Sequence, residues 1–132
     1  MVFLEKLKVF PEELIARQKT ADAYNEGFKD IVTVPYVMKD VTSTWAQYTI
    51  RLPKHINRAQ LMADLKAKGI PSVVYYVKPL HLQTAYKHYP TATGGALPVC
   101  EALANEVLSL PMSGYVESDE ITFIINEIKT YA

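Results

Sequence analysis

From Phe3 the apolar positions step by four and three through Leu7, Phe10 and Leu14, then Ala21, Tyr24 and Phe28, interrupted only by Arg17. This is the period of one face of an α-helix. It predicts a long N-terminal helix over residues 1–28, with Gly27 as its stop. Pro11 offers no N–H and crowds the preceding turn, so the helix either restarts there, with Pro11 in its first turn, or kinks. Within these 132 residues no segment before it completes its packing, and its stripe is expected to belong to a partner surface.

The pattern then changes. Ile31 to Val37 is rich in β-branched residues, and Ala46, Tyr48, Ile50 and Leu52 alternate with Gln47, Thr49 and Arg51, so both segments read as strands, the second half-buried. Asn57 is a suitable N-cap for a helix over Arg58–Lys68, with Gln60 able to reach back, Leu61 and Leu65 facing inward, and Gly69 and Pro71 ending it. Ser72 to Val77 is a continuous apolar and aromatic run, read as a third strand covered on both faces. A long irregular stretch follows to Leu97. Pro98 opens a helix with Val99, Ala102, Leu103 and Glu106–Val107 near its inward side, and Ser118, followed by Asp119 and Glu120, caps a last helix carrying Ile121, Ile124, Ile125 and Ile128. The order helix, strand, strand, helix, strand, helix, helix predicts an α+β fold: a small three-stranded antiparallel or mixed sheet packed with helices and preceded by a long N-terminal helix.

Composition narrows the function classes. A chain of 132 residues is the length of one compact domain. Its 14 basic and 14 acidic residues cancel, and no basic stretch is interleaved with aromatics, so neither nucleic acid nor an anionic membrane is an expected partner. No apolar run approaches the ~20 residues of a membrane span, and the N-terminal apolar run contains charges, unlike a signal peptide. With Cys100 as the one cysteine, no intrachain disulfide is available, and a cytoplasmic location is expected. Cys100 itself reads as a small buried core residue, since no His or Lys neighbours it to activate the thiol.

Candidate chemistry concentrates in Gly69 to Gln83, where a strand feeds a proline-containing loop bearing Tyr75, Tyr76, Lys78, His81 and Gln83. Polar groups at a strand exit are a common setting for ligand sites. The competing reading is structural: one tyrosine fills the core, the other meets an interface, and His81 hydrogen-bonds within the loop. Gly94–Gly95 matches neither dinucleotide nor P-loop spacing and reads as a turn. His55, His81 and His88 are spaced as no known metal-ligand set, and the paired carboxylates Glu12–Glu13 and Asp119–Glu120 sit at helix starts, where they complement the helix dipole.

Four segments in order carry a family resemblance. KLKVFPEELIARQKTADAYNEGF is similar to an inter-domain helix, and Thr44 to Leu52, TWAQYTIRL, to the first long strand of a small domain. Gly69 to Tyr86, GIPSVVYYVKPLHLQTAY, resembles a GI-T-x-x-HYP-x-PLHLQ-x-AY block. Leu97 to Met112, LPVCEALANEVLSLPM, resembles a closing helix and VLSLPM turn. On these segments the chain resembles the C-terminal part of pyridoxal-phosphate-dependent sugar aminotransferases of the DegT/DnrJ/EryC1/StrS family, nearest to those acting on UDP-linked 3-keto sugars.

The resemblance implies a fold-type-I small domain over 29–132 behind an inter-domain helix at 1–28. It also implies amino transfer from glutamate to a UDP- or dTDP-linked keto sugar in amino-sugar, polysaccharide or lipopolysaccharide biosynthesis, while the chain by itself is expected to form a homodimer through the stripe of Phe3, Leu7, Phe10 and Leu14. Pyridoxal phosphate would be bound by a large domain preceding Met1. This chain has no matching Schiff-base lysine motif, so alone it is expected to bind no cofactor and to be inactive. Tyr75, Tyr76 and His81 are implied to approach the nucleotide-sugar substrate. Two positions depart from the pattern: Tyr75 stands where the family has histidine, and Ser113–Gly114 where it has His-Pro. The alternative is a free-standing, non-catalytic module that uses the same fold for binding or dimerisation.

Overall fold

A computed structural model describes residues 2–131. Within them lie four α-helices, one short 3-10 turn and two strands: α1 (Val2–Gly27), β1 (Tyr48–Arg51), α2 (Arg58–Ala67), the turn Leu80–Leu82, α3 (Pro98–Glu106), β2 (Val107–Leu110) and α4 (Ser118–Lys129). The strands pair antiparallel, Tyr48 opposite Leu110 and Arg51 opposite Val107.

The core is assembled from the periodic positions. Ala21, Tyr24 and Phe28 of α1, Tyr48, Ile50 and Leu52, Leu61 and Leu65 of α2, Leu108 and Leu110, and Ile121, Ile124, Ile125 and Ile128 of α4 are buried together. The rings of Tyr24 and Tyr48 lie 4.9 Å apart. Their hydroxyls are satisfied: Tyr24 Oη donates to the Pro111 carbonyl at 3.0 Å and Tyr48 Oη to Asn25 at 2.7 Å. The turn at Gly114 comes so close to α1 that an added Cβ would sit 3.1 Å from Ala16 Cβ, and there Tyr115 and Lys6 both donate to the buried Glu13 carboxylate.

Several elements differ from the sequence expectation. The α+β class holds, but the described residues form a two-stranded sheet. Of Ile31–Val37 only Thr33 pairs, with Arg51, and of Ser72–Val77 only Val73, with Ser109. Pro71 and Pro79 bracket the second run, and its Val73, Tyr75, Tyr76 and Val77 are exposed rather than covered on both faces. The strand Val107–Leu110 was expected as the end of a helix and a turn. Its Ser109 is buried and shares a 2.7 Å hydrogen bond with Thr49 across the sheet.

Helix α1 is a single helix with Pro11 inside it, so it does not restart there. The carbonyl that Pro11 cannot reach lies in the exposed half of α1, where water can satisfy it. Asn57 caps α2 as expected, accepting from the Gln60 N–H at 3.1 Å, and Gly69 takes the left-handed φ of 78° that ends it. The last helix is capped one residue earlier than expected: Glu117 accepts from the backbone at Glu120 while the Glu120 carboxylate accepts the Glu117 N–H at 2.9 Å.

Candidate functional site

The chain between Val74 and Glu106 stands off from the core. Neither the 3-10 turn nor α3 contains a buried residue, and Val99, expected on an inward face, is 73% exposed. Along this excursion Tyr75, Tyr76, Val77, Leu80, Leu82, Tyr86 and Tyr89 are all open to solvent, which makes it the most aromatic exposed surface of the described residues.

His81 is the ordered centre of this region. Pro79 is buried and fixes the entry to the 3-10 turn, and Leu82 and Gln83 donate their N–H groups to the carbonyls of Pro79 and Leu80. The His81 side chain is 12% exposed, with Nε2 3.0 Å from Glu101 Oε1 on the first turn of α3. The same carboxylate oxygen accepts the Leu97 N–H at 2.9 Å. These two bonds, His81 first and the Leu97 backbone second, hold the Glu101 carboxyl below its ordinary value.

Beside His81 runs a groove of about 540 Å³ walled by Leu80, Tyr86, Tyr89, Leu97 and Cys100. Cys100 is therefore exposed on a groove wall rather than buried as expected, because no other described element covers this face of α3. Tyr75 and Tyr76 belong to the same excursion but do not line this groove. Tyr76 is 79% exposed, and neither tyrosine fills the core. The structural reading of the tyrosine pair is thus corrected, while the hydrogen bond foreseen for His81 exists but runs to α3 rather than within the loop.

Sequence reasoning passed over Glu101. The signal available was its place one turn after Leu97–Pro98, from which a carboxylate reaches back over the start of the helix. Arg51, at the end of β1, pairs with Glu106 at the end of α3 at 2.5 Å.

A lysine holds pyridoxal phosphate only where burial or neighbouring charge keeps it deprotonated. Every lysine of this chain is exposed, and Lys6, Lys8 and Lys68 are paired with carboxylates. The residues present do not fit that cofactor. Among the described residues there is also no group of three or more His, Cys, Asp or Glu side chains able to hold a metal ion.

Residues 1–129 match the sequence profile of the DegT/DnrJ/EryC1/StrS aminotransferase family. The UDP-2-acetamido-2-deoxy-3-oxo-D-glucuronate aminotransferase of Pseudomonas aeruginosa is 36% identical over 124 residues, which are 93% of this chain and 33% of that protein. The crystal structure of a DegT DnrJ EryC1 StrS aminotransferase from Brucella abortus superposes with a TM-score of 0.89 at 51% identity, over 97% of this chain and 33% of its own. The structure of S. venezuelae DesV in complex with a ketimine intermediate superposes at 0.86 with 27% identity, over 98% and 34%. The chain thus spans about a third of the length of the relatives it matches.

Proposed function

The chain belongs to the DegT/DnrJ/EryC1/StrS aminotransferase family, and from that premise we propose that it is the C-terminal, small-domain part of a nucleotide-sugar aminotransferase. Residues 1–28 are the inter-domain helix and 29–132 the small domain. The complete enzyme moves an amino group from glutamate to a UDP- or dTDP-linked keto sugar for polysaccharide or lipopolysaccharide biosynthesis. Pyridoxal phosphate would supply the electron sink there, from residues this chain does not contain. The observation that carries this reading is a match in sequence and fold along nearly the whole chain that takes up only a third of each relative.

This chain's own residues bind and orient rather than react. Tyr75, Tyr76 and His81 are assigned to the nucleotide-sugar side of the cleft, with phenol and imidazole groups offered to hydroxyl and phosphate oxygens. Support comes from the exposure of both tyrosines and from the fixed position of His81. The chain alone is assigned no activity, in keeping with its exposed lysines. We place it in the cytoplasm, where a protein whose one cysteine is exposed would stay reduced, and we assign it to a homodimer through the uncovered stripe of α1.

The test uses the complete enzyme. Tyr76→Phe and His81→Ala should impair turnover of the sugar nucleotide more than retention of pyridoxal phosphate. Cofactor loss as the main defect would contradict the assignment.

A further inference from the structure

Glu101 is the one carboxylate on this excursion that reaches across it. Its Oε1 accepts from two groups twenty and four residues away, the His81 ring and the Leu97 backbone N–H. An ionised carboxylate can only accept, so the ring nitrogen facing it must carry a proton. In the neutral imidazole the other nitrogen is then unprotonated, and among the described residues Nδ1 has no hydrogen-bond partner.

We propose that Glu101 is a positioning residue: it holds His81 as the Nε2–H tautomer, leaving Nδ1 as an acceptor for a hydroxyl or amide N–H of the sugar nucleotide. The bond to Leu97 makes the carboxylate a rigid reference rather than a mobile partner, because the oxygen is anchored to the start of α3 before the histidine meets it. The His81 side chain, 12% exposed, lines the groove, and Glu101, 33% exposed, meets it from the first turn of α3. The assignment of the acceptor to a sugar nucleotide rests on the function proposed above, whereas the tautomer lock does not.

The lock is read from the ring nitrogen resonances of His81 in the 132-residue chain at a pH where the ring is neutral. The wild type should show a protonated Nε2 and an unprotonated Nδ1. Glu101→Ala should give resonances averaged between the two tautomers. Glu101→Gln should restore the wild-type pattern, because both bonds fall on one oxygen that an amide also possesses. A wild type with the proton on Nδ1, or a Glu101→Ala chain that keeps the wild-type pattern, would overturn the proposal. The first of these needs no variant to fold. In the complete enzyme, Glu101→Ala should raise KM for the sugar nucleotide about two- to tenfold, the equivalent of one misplaced hydrogen bond, with a smaller change in kcat and with Glu101→Gln near wild type. A tautomer that follows Glu101 while KM stays constant would uphold the lock and overturn instead the sugar-site reading of His81.

Discussion

The indole of Trp45 is held by Gln18, its Nε1 donating to Oε1 at 2.8 Å, while Arg17 donates to the Trp45 carbonyl at 3.0 Å. Trp45 is buried with its backbone at a φ of 48°, in the left-handed region that a bulky residue enters only when its surroundings enforce it. Two neighbouring residues of α1 thus clamp the side chain and the backbone of one tryptophan and fix where β1 begins. Gln18→Ala leaves a buried N–H without a partner, which costs about 1–3 kcal/mol, and Gln18→Glu keeps the acceptor but sets a second carboxylate against Asp22, to which the Gln18 amide donates at 2.8 Å. Urea unfolding should place the alanine chain clearly below wild type, and the glutamate chain below it too.

The parts of the fold that sequence foretold are those where local signals and tertiary packing agree. Asn57, Gly69 and the four isoleucines of α4 each have one physical use, and each is used that way. The second strand was hidden because VLSL continues directly from α3 with no breaker between Glu106 and Val107, and four residues are too few to show a period. The extended runs at 31–37 and 72–77 have strand composition, yet each makes only a single bridge, so propensity there is not matched by partners. Of the candidate site, the place of His81 in a loop leaving Ser72–Val77 was legible. Glu101 was not, because a contact between residues twenty apart across an irregular loop leaves no periodic trace.

Gly27 ends α1 directly against α4. A Cβ there would lie 2.3 Å from Ile125 Cδ1 and 2.9 Å from its Cγ1. Gly27→Ala should therefore destabilise by roughly 1–3 kcal/mol through overpacking. Ile125→Ala removes the atoms in the way, so the double variant should be less destabilised than the sum of the single ones. Additive free energies from a denaturant double-mutant cycle would refute this.

Three carboxyls are held below their ordinary values. Glu13 is lowered first by the Lys6 hydrogen bond and then by Tyr115, Glu101 by His81 and the Leu97 N–H, and Asp64 by Tyr131 and Gln60. Stability from a depressed carboxyl is present above its unfolded value and is lost as pH falls through the folded one. The melting temperature should accordingly drop as pH falls below 4.5, the ordinary glutamate value, and less steeply in Glu13→Gln. At the other end, burial raises the Tyr24 and Tyr48 phenols above their ordinary 10.0, so stability should fall again as pH rises past that value.

Exposed lysines stay protonated near neutral pH and make poor partners for an aldehyde. Titration of the 132-residue chain with pyridoxal phosphate should give no stable visible absorption band that a single lysine substitution abolishes. Such a band, mapped to one lysine, would show a binding site that the surface positions of these side chains do not provide.

The last expectation concerns α1. Phe3, Leu7 and Phe10 are 76%, 49% and 39% exposed, and Leu14 is half-buried at the point where the helix meets the rest of the fold. Because α1 runs unbroken through Pro11, this stripe cannot turn back onto the sheet and stays available to another surface. Full burial of a Leu or Phe side chain is worth about 1.5–3 kcal/mol. Three from each of two copies therefore reach the order of the roughly 4–15 kcal/mol that association costs. A two-fold axis lets one stripe cover its copy, by antiparallel pairing or exchange of α1. Sedimentation should show the 132-residue chain shifting from monomer to dimer as its concentration rises, and Leu7→Glu, which places a charge in the middle of the stripe, should remain monomeric. A wild-type chain that stays monomeric at high concentration would remove the basis for pairing through α1.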